Sequence, residues 1–192
     1  MQIDSVMPTG HLYSVQQVLP PELLTQVYAL DWIQLKYRRL GIGQQRRREI
    51  DSTEIPFFDQ MDHDFKYHMV HTIEHSCGVK FDNPAAVNFN WWIDDAGFRP
   101  GMHTDGDLPA AMLLYLYPTD REDLGTVFFN TPSYDDVLHS FPSVPNTGYL
   151  MFNSHLHQGQ RVRLWHDMLQ PVPRNVPRLI LYTWLGPYKK ID

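Results

Sequence analysis

The chain has 192 residues, of which 43% are hydrophobic and 20% are charged, and its formal net charge is −6 at pH 7. This length and composition predict one globular domain over residues 1–192 and exclude an intrinsically disordered chain. The negative charge argues against a general binder of duplex nucleic acid, which needs a basic surface. A lone cysteine, Cys77, excludes an internal disulfide and favours a reducing compartment.

The sequence contains no segment typical of targeting or membrane insertion. The N-terminus has no basic region followed by an apolar run, so no signal peptide is predicted. The longest apolar run, the eight residues 110–117, is too short to cross a bilayer and suits a buried strand. We therefore expect a cytoplasmic protein with no membrane partner.

The first elements along the chain are a strand and a helix. Residues 11–18 alternate in polarity as an opening strand does. Pro20-Pro21-Glu22 then begins a helix, because proline and an acidic residue suit the first helical turn. Its apolar residues recur at helical spacing and predict one buried face, formed by Leu23, Leu24, Val27 and Leu30.

A basic segment, residues 36–48, follows the first helix of this otherwise acidic chain. Two interpretations stay open: a solvated loop and strand edge, or a surface that meets an anionic partner or substrate. Glycines 41 and 43 lie within the segment, and its cations are Lys36, Arg38, Arg39, Arg46, Arg47 and Arg48.

A second helix is predicted over residues 57–76, where apolar residues recur every three or four positions and Gly78 fits its end. It carries His68, His71 and His75 on one face. Glu74 stands beside the second histidine of the pair 71 and 75, so the order of a zinc-protease motif is absent. We expect a polar surface stripe, with a metal site as the alternative.

After Asn83-Pro84 the pattern changes from helical to strand-like. Short strands with turn residues between them predict an antiparallel sandwich or barrel. Residues 84–192 would form this β core, and residues 1–83 would support one face of its sheet. The predicted strands cover residues 86–93, 110–118, 125–130, 148–153, 161–166 and 178–185.

His103-Thr104-Asp105 places an imidazole and a carboxylate two residues apart. Side chains at i and i+2 of an extended strand share a face, so one metal ion could bind both. Two histidines and one carboxylate are the ligand set of non-haem Fe(II) oxygenases. His166, on a late strand, is the candidate for the second histidine, and His155 and His157 are the alternatives.

Two further residues could bind a carboxylate near such a metal. Arg178 stands twelve residues after His166 and opens the last predicted strand. A buried arginine can hold a carboxylate through two parallel hydrogen bonds. Tyr115, on an apolar strand, offers a phenol to the same carboxylate.

The order of these motifs over residues 86–186 resembles the 2-oxoglutarate/Fe(II)-dependent dioxygenases, and within them the prolyl-4-hydroxylase-like group. The resemblance implies a mainly β fold with N-terminal helices, a double-stranded β-helix (a jelly-roll, cupin-like barrel) with the metal at one mouth. The chain departs from the pattern at Ile180, where a Ser or Thr is common, and at Leu124, where a glycine is frequent. The motifs are His103-Thr104-Asp105, Tyr115-Leu116-Tyr117, Gly125-Thr126-Val127-Phe128, Gly148-Tyr149-Leu150-Met151-Phe152, His166, Pro171-Val172 and Arg178.

This resemblance also implies an activity. His103, Asp105 and His166 would hold Fe(II), and Arg178 with Tyr115 would bind 2-oxoglutarate, with dioxygen as the oxidant and ascorbate as a candidate additional cofactor. The hydroxylated group would belong to a protein or peptide; a small molecule or a nucleotide is the alternative substrate. Two other functions stay open: a cupin-like metal-binding protein that is not an oxygenase, and a binding module without chemistry. The stretch 90–92 (Asn-Trp-Trp) would line the mouth or belong to the core.

Overall fold

Five of the six strands predicted after residue 84 form with small shifts of their ends, whereas the strand predicted at 161–166 is divided into two short ones, and several further strands join them. The structure, a computed structural model, describes residues 1–40, 46–106, 108–117, 121–153, 156–157, 160–161 and 163–191. The strands are β1 (Gln2–Ser5), β2 (Leu12–Gln16), β3 (Tyr37–Arg39), β4 (Arg47–Ile50), β5 (Val79–Phe81), β6 (Asn88–Asp94), β7 (Ala110–Tyr115), β8 (Arg121–Phe129), β9 (Val137–Ser143), β10 (Thr147–Phe152), β11 (Leu156–His157), β12 (Gln160–Arg161), β13 (Trp165–Asp167), β14 (Arg178–Trp184) and β15 (Tyr188–Lys190). The helices are α1 (Pro21–Ala29), α2 (Phe58–Gln60) and α3 (Lys66–Cys77), with a π-helical turn at Met61–Phe65 and 3-10 turns at Ser52–Glu54 and Pro84–Ala86.

Two antiparallel sheets form the β core. The larger sheet has the strand order β1-β2-β10-β7-β14-β6-β4-β3, and the smaller sheet has the order β13-β8-β9. One cluster of buried side chains joins them, with Leu113 and Ile180 from the large sheet and Phe128 from the small one. The predicted mainly β, jelly-roll architecture is confirmed.

The second face of the large sheet is covered by the helices. Leu23 and Val27 of α1, with Met69 and Ile73 of α3, are buried in the same cluster as the sheet residues beneath them. α3 ends at Gly78, which has the left-handed conformation that glycine tolerates (φ +62°). The outer face of α3 is polar, and its histidines at 68, 71 and 75 are all exposed. No helix in the described ranges is long and apolar enough to cross a membrane.

Alternation along β6 separates the core from the site. Trp91 is 1% exposed and stacks on Trp32 at 4.9 Å, on the helix side of the sheet. Trp92 and Asp94 point to the opposite face, as the period of two in a strand requires. Of the aromatic stretch at 90–92, Trp91 therefore belongs to the core and Trp92 to the site.

Gly125 allows two neighbouring strands of the small sheet, β8 and β9, to approach each other closely. A Cβ atom at Gly125 would lie 2.0 Å from the carbonyl oxygen of Phe141 on β9. Gly148 of β10 is similar, since a Cβ there would lie 1.8 Å from the carbonyl oxygen of Leu113. At both glycines of the sequence motifs, a larger residue would therefore clash with the backbone of the neighbouring strand.

The basic segment is largely neutralised by neighbouring carboxylates. The exposed cations at 36, 38 and 39 form ion pairs with Glu54, Glu49 and Asp95 at 2.8, 2.7 and 3.5 Å. Arg47 and Arg48 are buried rather than displayed on the surface. Gly41 and Gly43 lie outside the described residues, as does Asp107.

Candidate metal centre

Backbone pairing brings the early and late candidate histidines together. His103 and His166 form an isolated antiparallel bridge, with N–H to O=C hydrogen bonds of 3.0 and 2.9 Å. Oδ1 of Asp105 lies 3.6 Å from Nε2 of His103 and 3.5 Å from Nε2 of His166. The three ligand atoms all lie within 4.8 Å of one another, so a single cation could contact all of them.

The backbone orients both imidazoles toward this common point. Nδ1 of His103 lies 2.7 Å from the carbonyl oxygen of Gly101, and Nδ1 of His166 lies 3.0 Å from that of Leu164. Because a carbonyl only accepts, Nδ1 carries the proton in each ring and Nε2 keeps its lone pair for a metal. Gly101 has φ +76°, a conformation in which glycine is favoured.

Charge in the site centres on one buried carboxylate between two rings. Burial lowers the pKa of His103, and the neighbouring His166 lowers it further. For His166, burial opposes the charged form, but hydrogen bonding and attraction to Asp105 raise its pKa overall. Burial alone would raise the pKa of Asp105, yet its contacts with the histidines and Tyr182 lower it. A divalent cation fits this arrangement of one anion and two neutral nitrogen donors.

A cavity of about 200 Å³ adjoins the three ligand atoms. It brings the metal candidates and two arginines to one space, which is lined by His103, Asp105, His166, Thr126, Arg47 and Arg178 among others.

Arg178 lies at the wall of this cavity and is 2% exposed. Its Nη1 donates to Oδ2 of Asp94 at 2.9 Å, and its Nη2 donates to Oγ1 of Thr126 at 3.3 Å. Burial opposes the charge, but Asp94 and two tyrosines raise the pKa of Arg178 overall, so the group stays cationic. A fixed guanidinium of this kind suits the far carboxylate of a dicarboxylic acid.

The position of Tyr115 differs from the prediction. The residue is fully buried, and its hydroxyl donates to Oγ1 of Thr126 at 2.8 Å. The cavity wall that the structure describes contains Thr126, Tyr149 and Tyr182 instead of Tyr115. Tyr115 therefore supports Thr126 from behind, and a direct contact with a bound carboxylate is not what this geometry favours.

Among the alternative histidines, His155 lies outside the described residues. His157 belongs to β11, and the described part of the chain includes its backbone but not its side chain. His166 is the histidine that the structure brings beside His103 and Asp105.

Tyr182 and Thr126 form hydrogen bonds at the site that the residue pattern did not predict. Tyr182 donates to Oδ2 of Asp105 at 3.0 Å, and Thr126 accepts from both Tyr115 and Arg178. Strand alternation could have indicated Tyr182, because it lies four residues after Arg178 on the same face of β14. Ile180 lies between them and is buried, so it adds no hydroxyl to the cavity wall.

The Pro171-Val172 motif, which follows His166 in the sequence, packs against the loop that precedes His103. The Val172 N–H donates to Phe98 O at 3.0 Å, and the Gly97 N–H donates to Val172 O at 2.7 Å. Leu124, at the position where a glycine is frequent, is buried in the same small cluster as these two residues. The loops that carry the two histidines are thus joined by packing as well as by hydrogen bonds.

Solved structures share this fold at low sequence identity. A prolyl-4-hydroxylase from Pseudomonas putida is 18% identical, with 92% of each chain covered and a TM-score of 0.56. A 2OG-Fe(II) oxygenase family protein from Burkholderia pseudomallei is 11% identical and has a TM-score of 0.60, over 96% of this chain and 89% of that one. The α-ketoglutarate-dependent epimerase SnoN of nogalamycin biosynthesis is 11% identical and has a TM-score of 0.57, over 95% of this chain and 81% of that one.

No protein-family model matches the sequence, and the comparison with curated proteins gives no match. The structural likenesses show that the chain has the double-stranded β-helix fold found in 2-oxoglutarate/Fe(II) oxygenases, prolyl hydroxylases included. The fold that the sequence motifs predicted is confirmed. At these identities the likeness concerns the fold, and activity has to be argued from the site.

Proposed function

We propose that the chain is an Fe(II)- and 2-oxoglutarate-dependent oxygenase that hydroxylates a C–H bond. One observation carries the proposal: Nε2 of His103, Nε2 of His166 and a carboxylate oxygen of Asp105 converge beside a cavity that a buried arginine also lines. This donor set leaves coordination positions open, which non-haem iron oxygenases require.

The donors fit ferrous iron. Each imidazole is held by a backbone carbonyl in the tautomer that presents Nε2, and the carboxylate is anionic. Asp105 would bind through Oδ1, because Tyr182 occupies Oδ2. Bound iron, with 2-oxoglutarate and dioxygen, would supply the oxidising power, while the protein binds, orients and excludes water.

The cavity supports 2-oxoglutarate as the co-substrate. Arg178 is positioned by Asp94 and Thr126, so its guanidinium needs little reorganisation to receive a carboxylate. Thr126 accepts two hydrogen bonds through Oγ1 and keeps its own hydroxyl proton for another acceptor.

We propose a residue in a protein or peptide as the substrate. A cavity of about 200 Å³ that also holds 2-oxoglutarate leaves room for one projecting group, so the body of the substrate would stay outside. The alternative is a small molecule or nucleotide, and the similar structures include both a prolyl-4-hydroxylase and the epimerase SnoN.

Metal binding and turnover test the class of function. We expect the purified protein to bind one Fe(II) anaerobically and to convert 2-oxoglutarate to succinate in the presence of dioxygen. Asp105→Ala and His166→Ala should abolish both properties, and His75→Ala, an exposed histidine on α3, should change neither. His157→Ala should also be silent; loss of iron binding in that variant would reassign the second histidine.

The same measurements separate the other functions. A cupin-like protein that is not an oxygenase would bind metal but leave 2-oxoglutarate unchanged, and a binding module would bind no metal. For the substrate, mass spectrometry of a lysate treated with the enzyme should find peptides that gained one oxygen atom. Oxygen gained only by small molecules or nucleotides would support the alternative substrate class.

A further inference from the structure

One buried carboxylate, that of Asp94, is shared by two arginines of the cavity wall. Oδ1 of Asp94 accepts from Nε of Arg47 at 2.5 Å, and Oδ2 accepts from Nη2 of Arg47 at 3.0 Å. Oδ2 also accepts from Nη1 of Arg178 at 2.9 Å. The three residues lie side by side on β4, β6 and β14, because Asp94 is in register with both arginines.

The arginine row, formed by Arg47, Asp94 and Arg178, carries more positive than negative charge although its side chains are buried. Asp94 is 0% exposed, Arg178 is 2% exposed and Arg47 is 7% exposed. Two guanidinium groups with one carboxylate leave one positive charge uncompensated, which is costly away from water unless an anion binds. Asp167 does not compensate it, because its carboxylate already pairs with Arg99 at 2.8 Å.

Arg47 is held in place by two aromatic rings as well as by Asp94. Its guanidinium lies 4.3 Å from the ring of Trp92 and 4.3 Å from that of Phe98. The hydrogen bonds to Asp94 use Nε and Nη2 and leave Nη1 for another acceptor. Since Arg47 lines the same cavity as Arg178, both groups can reach one small anion.

We infer that Arg47 and Arg178, fixed by Asp94, form a two-guanidinium receptor for the far carboxylate of the co-substrate. The inference rests on the proposed function and assigns Arg47 a binding role in it. The net charge of the site agrees with this. A divalent metal bound to Asp105 has a net charge of +1, and Arg47 and Arg178 with Asp94 have a further net charge of +1. Their sum matches a dianionic keto acid such as 2-oxoglutarate.

Binding measurements on two keto acids test this receptor. Calorimetry under anaerobic conditions would compare 2-oxoglutarate with 2-oxopentanoate, which has the same keto-acid end and a methyl group in place of the far carboxylate. With Fe(II) bound, Arg47→Gln should weaken 2-oxoglutarate binding by about tenfold or more, since a charged hydrogen bond is lost. Its affinity for Fe(II) and for 2-oxopentanoate should not change.

Arg48→Gln is the matched control. Arg48 is also 7% exposed and pairs with Asp95 at 2.8 Å, but it does not line the cavity. The Arg48→Gln variant should bind both keto acids with the same affinity as the unmodified protein. If Arg47→Gln does not fold, Arg47→Lys can replace it. Lysine keeps a cation for Asp94 but lacks the planar guanidinium group, so this variant should still lose affinity for 2-oxoglutarate and not for 2-oxopentanoate.

The outcomes separate this inference from the proposed function. Unchanged 2-oxoglutarate affinity in the Arg47 variants, with normal binding by the unmodified protein, would overturn the receptor and leave the oxygenase standing. An equal loss for both keto acids would also overturn it, since Arg47 would then shape the cavity without reading the far carboxylate. An unmodified protein that binds iron but neither keto acid would refute both.

Discussion

Tyr182 donates a hydrogen bond of 3.0 Å to Oδ2 of Asp105, and this leaves Oδ1 as the oxygen that faces both imidazoles. The ring of Tyr182 stacks on Trp92 with centroids 4.6 Å apart and planes 12° from parallel, and Arg47 covers the Trp92 ring. The candidate metal centre and the arginine row are therefore connected by one stacked wall of the cavity.

Replacing Tyr182 with phenylalanine should weaken metal binding. The stack on Trp92 would survive, but Oδ2 of Asp105 would lose its donor and the carboxylate would rotate more freely. Loss of such an orienting partner costs about tenfold or more in metal affinity. Anaerobic titration with Fe(II) measures it, and Tyr28→Phe, at a tyrosine that is 40% exposed, is the control. Equal affinities in the two variants would show that Tyr182 does not position Asp105.

Thr126→Val should weaken 2-oxoglutarate binding while iron binding stays unchanged. Oγ1 of Thr126 accepts from Tyr115 and Arg178, so valine would leave two buried donors without their acceptor. Such a loss costs about 1–3 kcal/mol of folding stability. Calorimetry with 2-oxoglutarate and chemical denaturation provide the two readouts. Thr126→Ser keeps the hydroxyl and should behave nearly normally; a defect as large as that of valine would point to packing instead.

Gly125→Ala should destabilise the small sheet. The added Cβ would lie 2.0 Å from the backbone oxygen of Phe141, so β8 and β9 would have to separate. We expect the free energy of unfolding to fall by about 2 kcal/mol or more, as for other overpacked sites. Denaturation with urea measures the change, with Ser140→Ala at an exposed position of β9 as the control. Unchanged stability would mean that the sheet adjusts at little cost.

Cys77 should react slowly with thiol reagents. Burial raises the pKa of its thiol to about 12, against an opposing contribution from Tyr13. A raised pKa means less thiolate at neutral pH, and the thiolate is the reactive form. Alkylation should therefore accelerate on unfolding and, in the folded protein, as the pH rises toward that value. Rapid labelling at pH 7 that matches an unfolded control would contradict this.

Much of the fold could be predicted because it rests on local periodicity. The apolar run that became β7 is buried throughout, and the helix with one apolar face became α1. The strands β3, β4 and β9 were not predicted. β3 is exposed throughout, β4 is mostly buried and β9 is irregular, so none of them has the clean alternation that distinguishes a strand from a loop.

The candidate site was predictable in part for the same reason. His103 and Asp105 are close in sequence and their side chains do converge, but the predicted strand is reduced to an isolated bridge at His103. Tyr115 donates to Thr126, which lines the cavity, so its expected contact with a bound carboxylate stays a prediction that this arrangement does not favour. Whether a side chain lines the cavity or lies behind another residue depends on which strands face each other. The spacing of residues along the sequence does not contain that information.

By itself the sequence determined the element types, the His-x-Asp motif and the order of the strands that carry the remaining site residues. Only the tertiary structure decided that His166 joins Asp105, that Tyr182 fixes the second oxygen of that carboxylate, and that Asp94 holds two arginines together. The reason is physical: periodicity along one strand follows from the geometry of its own backbone, whereas partners across a barrel are selected by strand register and packing. Those are properties of the whole chain, because each register is stabilised by contacts with several other strands.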